Sequence, residues 1–121
     1  MKEALQQTGE LGKQIRKLTK ENDGQQLSVS VGDKITVTLL EHSTAGYRWS
    51  ITQLDTNVIS TLEDKYIRPK SKNFGAAGER KFTLQAMNPA STDVVLEEKR
   101  PWEAEEKAVS KFKINVLISS K

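Results

Sequence analysis

The chain contains no cysteine and a single histidine, His42. Without cysteine there are no disulfides, no thiolate metal sites and no cysteine nucleophile, so stability must come from packing alone. With one imidazole, a nucleophilic Ser or Thr would have only His42 as its base; His42 stands beside Ser43 with no third group in evidence to orient it. Metal-ligand spacing is missing for the same reason, since only scattered carboxylates remain. No apolar run approaches the roughly 18 residues that span a bilayer. The N-terminus also lacks the uninterrupted apolar stretch of about 7 to 15 residues that a secretory signal needs. The expectation is a protein with no membrane segment, either cytoplasmic or the mature form of a secreted or periplasmic chain.

Charge of one sign is absent as well. The 19 Lys and Arg oppose 16 Asp and Glu, a net +3, and the two signs are interleaved. No basic block offers itself to nucleic acid, which is not an expected partner. The segment Gly75 to Gly78 (GAAG) lacks the following lysine and the strand-to-helix context of a phosphate loop, and reads as a turn. Glu103, Glu105 and Glu106 lie among Lys99, Arg100 and Lys107 and read as a solvated loop. Neither an enzyme nor a metal or cofactor protein is expected.

What the sequence does contain is a soluble globular composition, 36% hydrophobic and 29% charged, in 121 residues, which suits one domain. Leu11, Ile15 and Leu18 fall at i, i+4 and i+7, the stripe of a short helix from about Leu11 to Lys20, or of a frayed arm. Gly9 and Gly12 weigh against the helix, each by about 1 kcal/mol relative to Ala. Asn22, Asp23 and Gly24 signal a turn, after which the period changes, so the chain divides into an arm at 1–26 and a domain at 27–121.

From Leu27 onward apolar residues alternate with polar ones. Leu27, Val29 and Val31 form one run, and Ile35, Val37 and Leu39 a second. Trp49 and Ile51, with Tyr47 in parity, give a third, and Val58 to Ile67 a weaker, perhaps split, fourth. Phe82, Leu84 and Ala86 make the fifth, Val94 and Leu96 the sixth, and Phe112, Ile114, Val116 and Ile118 the last. Seven short strands separated by turn signals, with no helical segment between them, predict an all-β, immunoglobulin-like antiparallel β-sandwich. In an up-and-down succession the second-to-third, fourth-to-fifth and sixth-to-seventh connections emerge at one end. Those connections carry His42 to Trp49 (HSTAGYRW), Phe74 to Gly78 (FGAAG) and Arg100 to Glu103 (RPWE), so the three should form one surface.

Within that surface Gly46 is expected to supply a turn with positive φ, Tyr47 to pack at the loop base, and Trp49, on the parity of Ile51, to be buried. Trp102 follows the strand-breaking Pro101 and precedes a polar run. Its ring is either an exposed interface anchor or a plug folded over the end of the sandwich. Charges such as Glu63, Lys65, Glu97 and Lys99 oppose edge-to-edge pairing, and a monomer is expected for the free protein.

Taken together, these segments resemble the chagasin-type inhibitors of papain-like cysteine peptidases. That family carries an Asn-Pro-Thr-Thr-Gly-Tyr/Phe loop followed by x-Trp, a Gly-x-Gly-Gly loop and an Arg-Pro-Trp/Phe loop. Thr44, Gly46, Tyr47 and Trp49 match the first motif, Gly75 and Gly78 the outer glycines of the second, and Arg100, Pro101 and Trp102 the third. The departures are His42 and Ser43 where the family has Asn and Pro, Ala45 for the second Thr, Ala77 for a Gly, and Glu98 where an aromatic is common. Loss of the proline implies a first loop less rigid before binding.

The resemblance implies a tight, reversible, non-covalent blocker whose partner is a papain-like cysteine peptidase. In that picture His42, Ser43, Thr44, Ala45, Gly46 and Tyr47 enter the cleft, with Thr44 and Ala45 over the catalytic cysteine. Gly75, Ala76, Ala77 and Gly78 lie along the unprimed side. Trp102, with Arg100 and Pro101, packs beside the catalytic histidine. The alternative is a generic immunoglobulin-like module that binds a protein or glycan through the same loops.

Overall fold

The structure is a computed structural model that describes residues 14–69, 77–103 and 107–120. Eight strands follow one another: β1 (Ile15–Leu18), β2 (Gln26–Ser30), β3 (Lys34–Glu41), β4 (Arg48–Gln53), β5 (Ile59–Ile67), β6 (Gly78–Ala86), β7 (Ala90–Lys99) and β8 (Ser110–Ser119). They form two four-stranded sheets, ordered β1-β3-β6-β5 and β2-β8-β7-β4. Strands β2 to β8 correspond to the seven alternating runs, and all but β5, which buries only Ile59, bury an apolar parity between the sheets. Ile35, Val37 and Leu39 of β3 meet Phe82 and Leu84 of β6 in one sheet. Val94 and Leu96 of β7 and Phe112, Ile114, Val116 and Ile118 of β8 line the other. Such cores stabilise a sandwich through apolar area removed from water from both sheets at once.

Three features differ from expectation. The sheets are mixed: β1 pairs with β3 and β2 with β8 in parallel, the other pairs being antiparallel. No helix occupies 14–20. Ile15–Leu18 is a strand, and Leu11 to Lys13 lie outside the described residues. A short isolated helix over 11–20 is marginal in water, whereas the free edge of β3 pairs the backbone of 15–18 in a ladder. Lys34 N donates to Gln14 O, Arg16 Nη1 donates to Ser28 O, and Leu18 is buried while Ile15 is 56% exposed. Thirdly, β5 is one strand with a bulge between Thr61 and Glu63, not two pieces, and Leu62 at the bulge is exposed.

The link between β1 and β2 passes from one sheet to the other. A 3₁₀ turn at Lys20–Asn22 is capped by Thr19 and Asn22, which accept from each other's end of the turn. Asp23 Oδ1 then accepts from Lys113 N at 2.8 Å and Gly24 N donates to Lys113 O at 2.7 Å. The hydrogen bond from Lys113 N–H holds the Asp23 carboxyl below its ordinary value of 3.8. The N-terminal segment thus straps the two sheets together along one side.

Candidate functional site

Strand register decides which connections share an end. Glu41 pairs with Gly78, Ile67 with Glu79, Arg48 with Lys99 and Glu98 with Ser110. The β3–β4, β5–β6 and β7–β8 connections therefore leave the same end of the sandwich. Phe74, Gly75 and Ala76 of the second connection lie outside the described residues.

Beneath this end the inward positions turn from apolar to charged. Glu41 continues the parity of Leu39, Glu98 that of Leu96, and Arg80 precedes Phe82; all three are buried. Arg80 holds Glu41 in a two-point bond, Nε to Oε1 at 3.0 Å and Nη2 to Oε2 at 2.9 Å. Glu41 Oε1 also accepts from Trp49 N at 2.7 Å, and the Trp49 indole N–H donates to Leu40 O. Hydrogen bonding to Glu41 pushes the Arg80 guanidinium above its usual range, against the opposing effect of burial. Arg80 Nη1 reaches Asp64 on β5 at 3.1 Å, and its guanidinium lies 5.6 Å from the Tyr66 ring centroid. This network fixes the two strand ends from which the first loop springs.

The loop itself is a 3₁₀ turn at Ser43–Ala45 closed by Gly46 at φ 87°, as a left-handed cap requires. Ala45 N donates to His42 O, Gly46 N to Ser43 O and Tyr47 N to His42 O. Three further ties come from outside the loop. Glu98 of β7 accepts from His42, Tyr66 of β5 meets Ser43 Oγ at 2.7 Å, and Arg100 Nε donates to Ala45 O at 3.0 Å. Arg100 also covers the Tyr47 ring at 4.5 Å and pairs with Glu103. Its guanidinium is therefore engaged within the protein and orients the loops.

Trp102 is 72% exposed, which settles the two readings left open for it in favour of the loop tip. Its ring nonetheless has a seat: a Cβ added at Gly46 would come within 2.7 Å of Trp102 Cη2. Thr44, Ala45 and Pro101 are exposed beside it, and Ala77 is half-buried. Trp49 is buried as its parity predicted. Gly78, expected on the surface, is instead buried at the start of β6, where a Cβ would run into the Tyr66 hydroxyl. The glycine there makes room for the tyrosine that reaches Ser43. Sequence reasoning missed Glu41, Tyr66 and Arg80 as supports of the site. The available signal was a charge at an inward-facing strand position, at residues 41 and 80.

Beside this end the cavity lined by Arg48, Ser50, Ile51, Thr52, Lys99 and Pro101 is open to solvent and does not enclose a small substrate. Among the described residues no group of three or more His, Asp or Glu is placed to hold a metal. A β-sandwich that projects two mutually braced loops at one end, one tipped by an exposed Trp, defines a protein that binds another by surface complementarity.

The comparisons with known proteins give that class its family. The chain belongs to the chagasin family of peptidase inhibitors: the family described as "Chagasin family peptidase inhibitor I42" matches residues 28–116. It is 31% identical over 90 residues to chagasin of Trypanosoma cruzi, covering 71% of this chain and 82% of that protein. Its fold is similar to that of the cysteine protease inhibitor EhICP2 from Entamoeba histolytica, with a TM-score of 0.80 and 25% identity over 87% of this chain and 96% of the other. It is also similar in fold to PbICP-C, solved in complex with falcipain-2, with a TM-score of 0.58 and 15% identity over 94% and 96% of the two chains.

Proposed function

We propose that the protein is a tight, reversible, non-covalent inhibitor of papain-like cysteine peptidases that occludes the active-site cleft with the loop end of the sandwich. The observation that carries this reading is the docking of the first and third loops: Trp102 over Gly46, and Arg100 on Ala45 O. Together they form one wedge, with Thr44 and Ala45 exposed at its edge.

The geometry of the wedge explains how it blocks without being cut. A peptidase attacks a carbonyl that it can hold in its oxyanion hole. At the tip the carbonyls of His42, Ser43 and Ala45 already accept hydrogen bonds from Ala45 N and Tyr47 N, Gly46 N, and Arg100 respectively. A closed 3₁₀ turn also cannot lie in the cleft as an extended strand. Thr44 and Ala45 cover the catalytic cysteine and offer it no reactive group. Trp102 packs on an apolar surface beside the catalytic histidine, and Gly75 to Ala77 lie along the unprimed side. The internal ties reduce the ordering that binding would otherwise cost.

The test is a titration of papain and of a cathepsin-L-like enzyme. Inhibition at or below micromolar concentration, with the inhibitor recovered uncleaved, is expected. Absence of inhibition would overturn the reading. Capture on immobilised papain whose cysteine carries a small cap separates occlusion from covalent trapping, because occlusion survives the cap.

A further inference from the structure

Glu98 is 1% exposed, and its carboxylate contacts are unusual. Oε2 accepts from His42 N at 2.8 Å and lies 3.0 Å from His42 Nδ1, while Oε1 has no partner among the described residues. A carboxylate taken out of water is costly unless it is paired and hydrogen-bonded. Here both contacts go to one residue, the one at which the β3–β4 loop begins. The second contact, between His42 Nδ1 and Oε2, sits on a side chain that is 58% exposed. The neighbouring charges are already engaged. Glu41 of β3 is bound by Arg80 of β6, which also takes Asp64 of β5, and Arg100 of the β7–β8 loop takes Ala45 O and Glu103. Ser43, next in the loop, is held by Tyr66 of β5. Both His42 and Glu98 depart from the family pattern described above, 56 positions apart in sequence, and they meet.

We infer that Glu98 is a positioning residue for inhibition: acting through His42, it sets the angle at which the 42–47 loop leaves β3, and with it the fit of the wedge. The inference rests on the inhibitory reading above. A buried carboxylate that served only the fold would be replaceable by an apolar side chain of similar size, often with a gain in stability. A positioning carboxylate would not be. Stability and inhibition therefore move apart in Glu98→Leu: the melting temperature holds or rises, and the inhibition constant for papain worsens about tenfold or more, mainly through faster dissociation. Glu98→Gln, which keeps an acceptor for His42 N, stays within about threefold of the wild type. His42→Ala weakens inhibition as much as Glu98→Leu, and the double variant is no worse than either single one, since the two act as one unit.

Inhibition by Glu98→Leu within threefold of wild type, or multiplied losses in the double variant, would overturn the inference. Should the wild-type protein inhibit no papain-like enzyme, the functional reading fails, and hydrogen exchange in the free protein still decides the inference. The Ala45 and Gly46 amides should exchange several-fold faster in Glu98→Leu and in His42→Ala, and unchanged exchange in these variants would overturn it. If Glu98→Leu does not fold, amide exchange in free His42→Ala carries the test, since it reads the loop without a peptidase present.

Discussion

Trp102 presents 72% of its surface to solvent, yet it is held by its contact with Gly46 and by the Arg100 backbone turn, where Glu103 N donates to Arg100 O. An aromatic that is exposed and already fixed gives up little freedom when a partner covers it. Truncation of such an anchor typically costs about 2 kcal/mol or more, so Trp102→Ala should weaken inhibition of papain at least about tenfold. Because the ring is outside the core, the thermal midpoint of that variant should stay at the wild-type value. Unchanged inhibition would remove Trp102 from the binding surface. Ser43 shows the same economy. It stands where the family has proline, and the rigidity the proline would give is supplied by the Tyr66 hydroxyl at 2.7 Å. That tie needs Gly78, where an added Cβ would run into the tyrosine hydroxyl.

Among the elements, β3 and β6 matter most for the site, because their paired ends carry Glu41, Gly78 and Arg80. The Arg80–Glu41 pair is almost fully enclosed, with side-chain exposures of 10% and 2%. Removing one partner of such a pair leaves an uncompensated charge, typically a loss of about 3–5 kcal/mol. Arg80→Ala should show that loss in urea denaturation; a change below about 1 kcal/mol would mean that water reaches the pair. The strands themselves were legible in the sequence, since period-two alternation follows directly from one face meeting the core. Glu41, Arg80 and Glu98 broke that alternation at the loop end and marked it as polar. Which charge meets which was not legible, because it depends on how strands distant in sequence line up. β1 was hidden for a related reason: four residues, of which only Leu18 is buried, carry too few apolar positions to set a period.

At the scale of the whole molecule, the strap from Leu18 to Gln26 joins the two sheets, and Asp23 is its buckle on β8. A carboxyl held below its ordinary value contributes stability that is fully present above about pH 3.8 and is lost as the pH falls through its lower folded value. Asp23→Ala should therefore melt below the wild type at pH 7, by a margin under about 1 kcal/mol for so exposed a group. The gap should close as the pH falls below about 4 and the Asp23 carboxylate takes up its proton. Equal melting temperatures at pH 7 would show that the strap holds without its buckle.

The parallel pairing of β2 with β8 also constrains the timing of assembly. Gln26 and Asn115 lie side by side in the sheet and 89 positions apart in the chain. At a synthesis rate of about 5–20 residues per second, β2 waits on the order of 4 to 18 seconds for its partner to be made. Strands β7 and β4 cannot join it in the second sheet without β8, because β8 stands between β2 and β7. The sandwich therefore closes only after β8 has left the ribosome, when the paired strands most distant in sequence can meet.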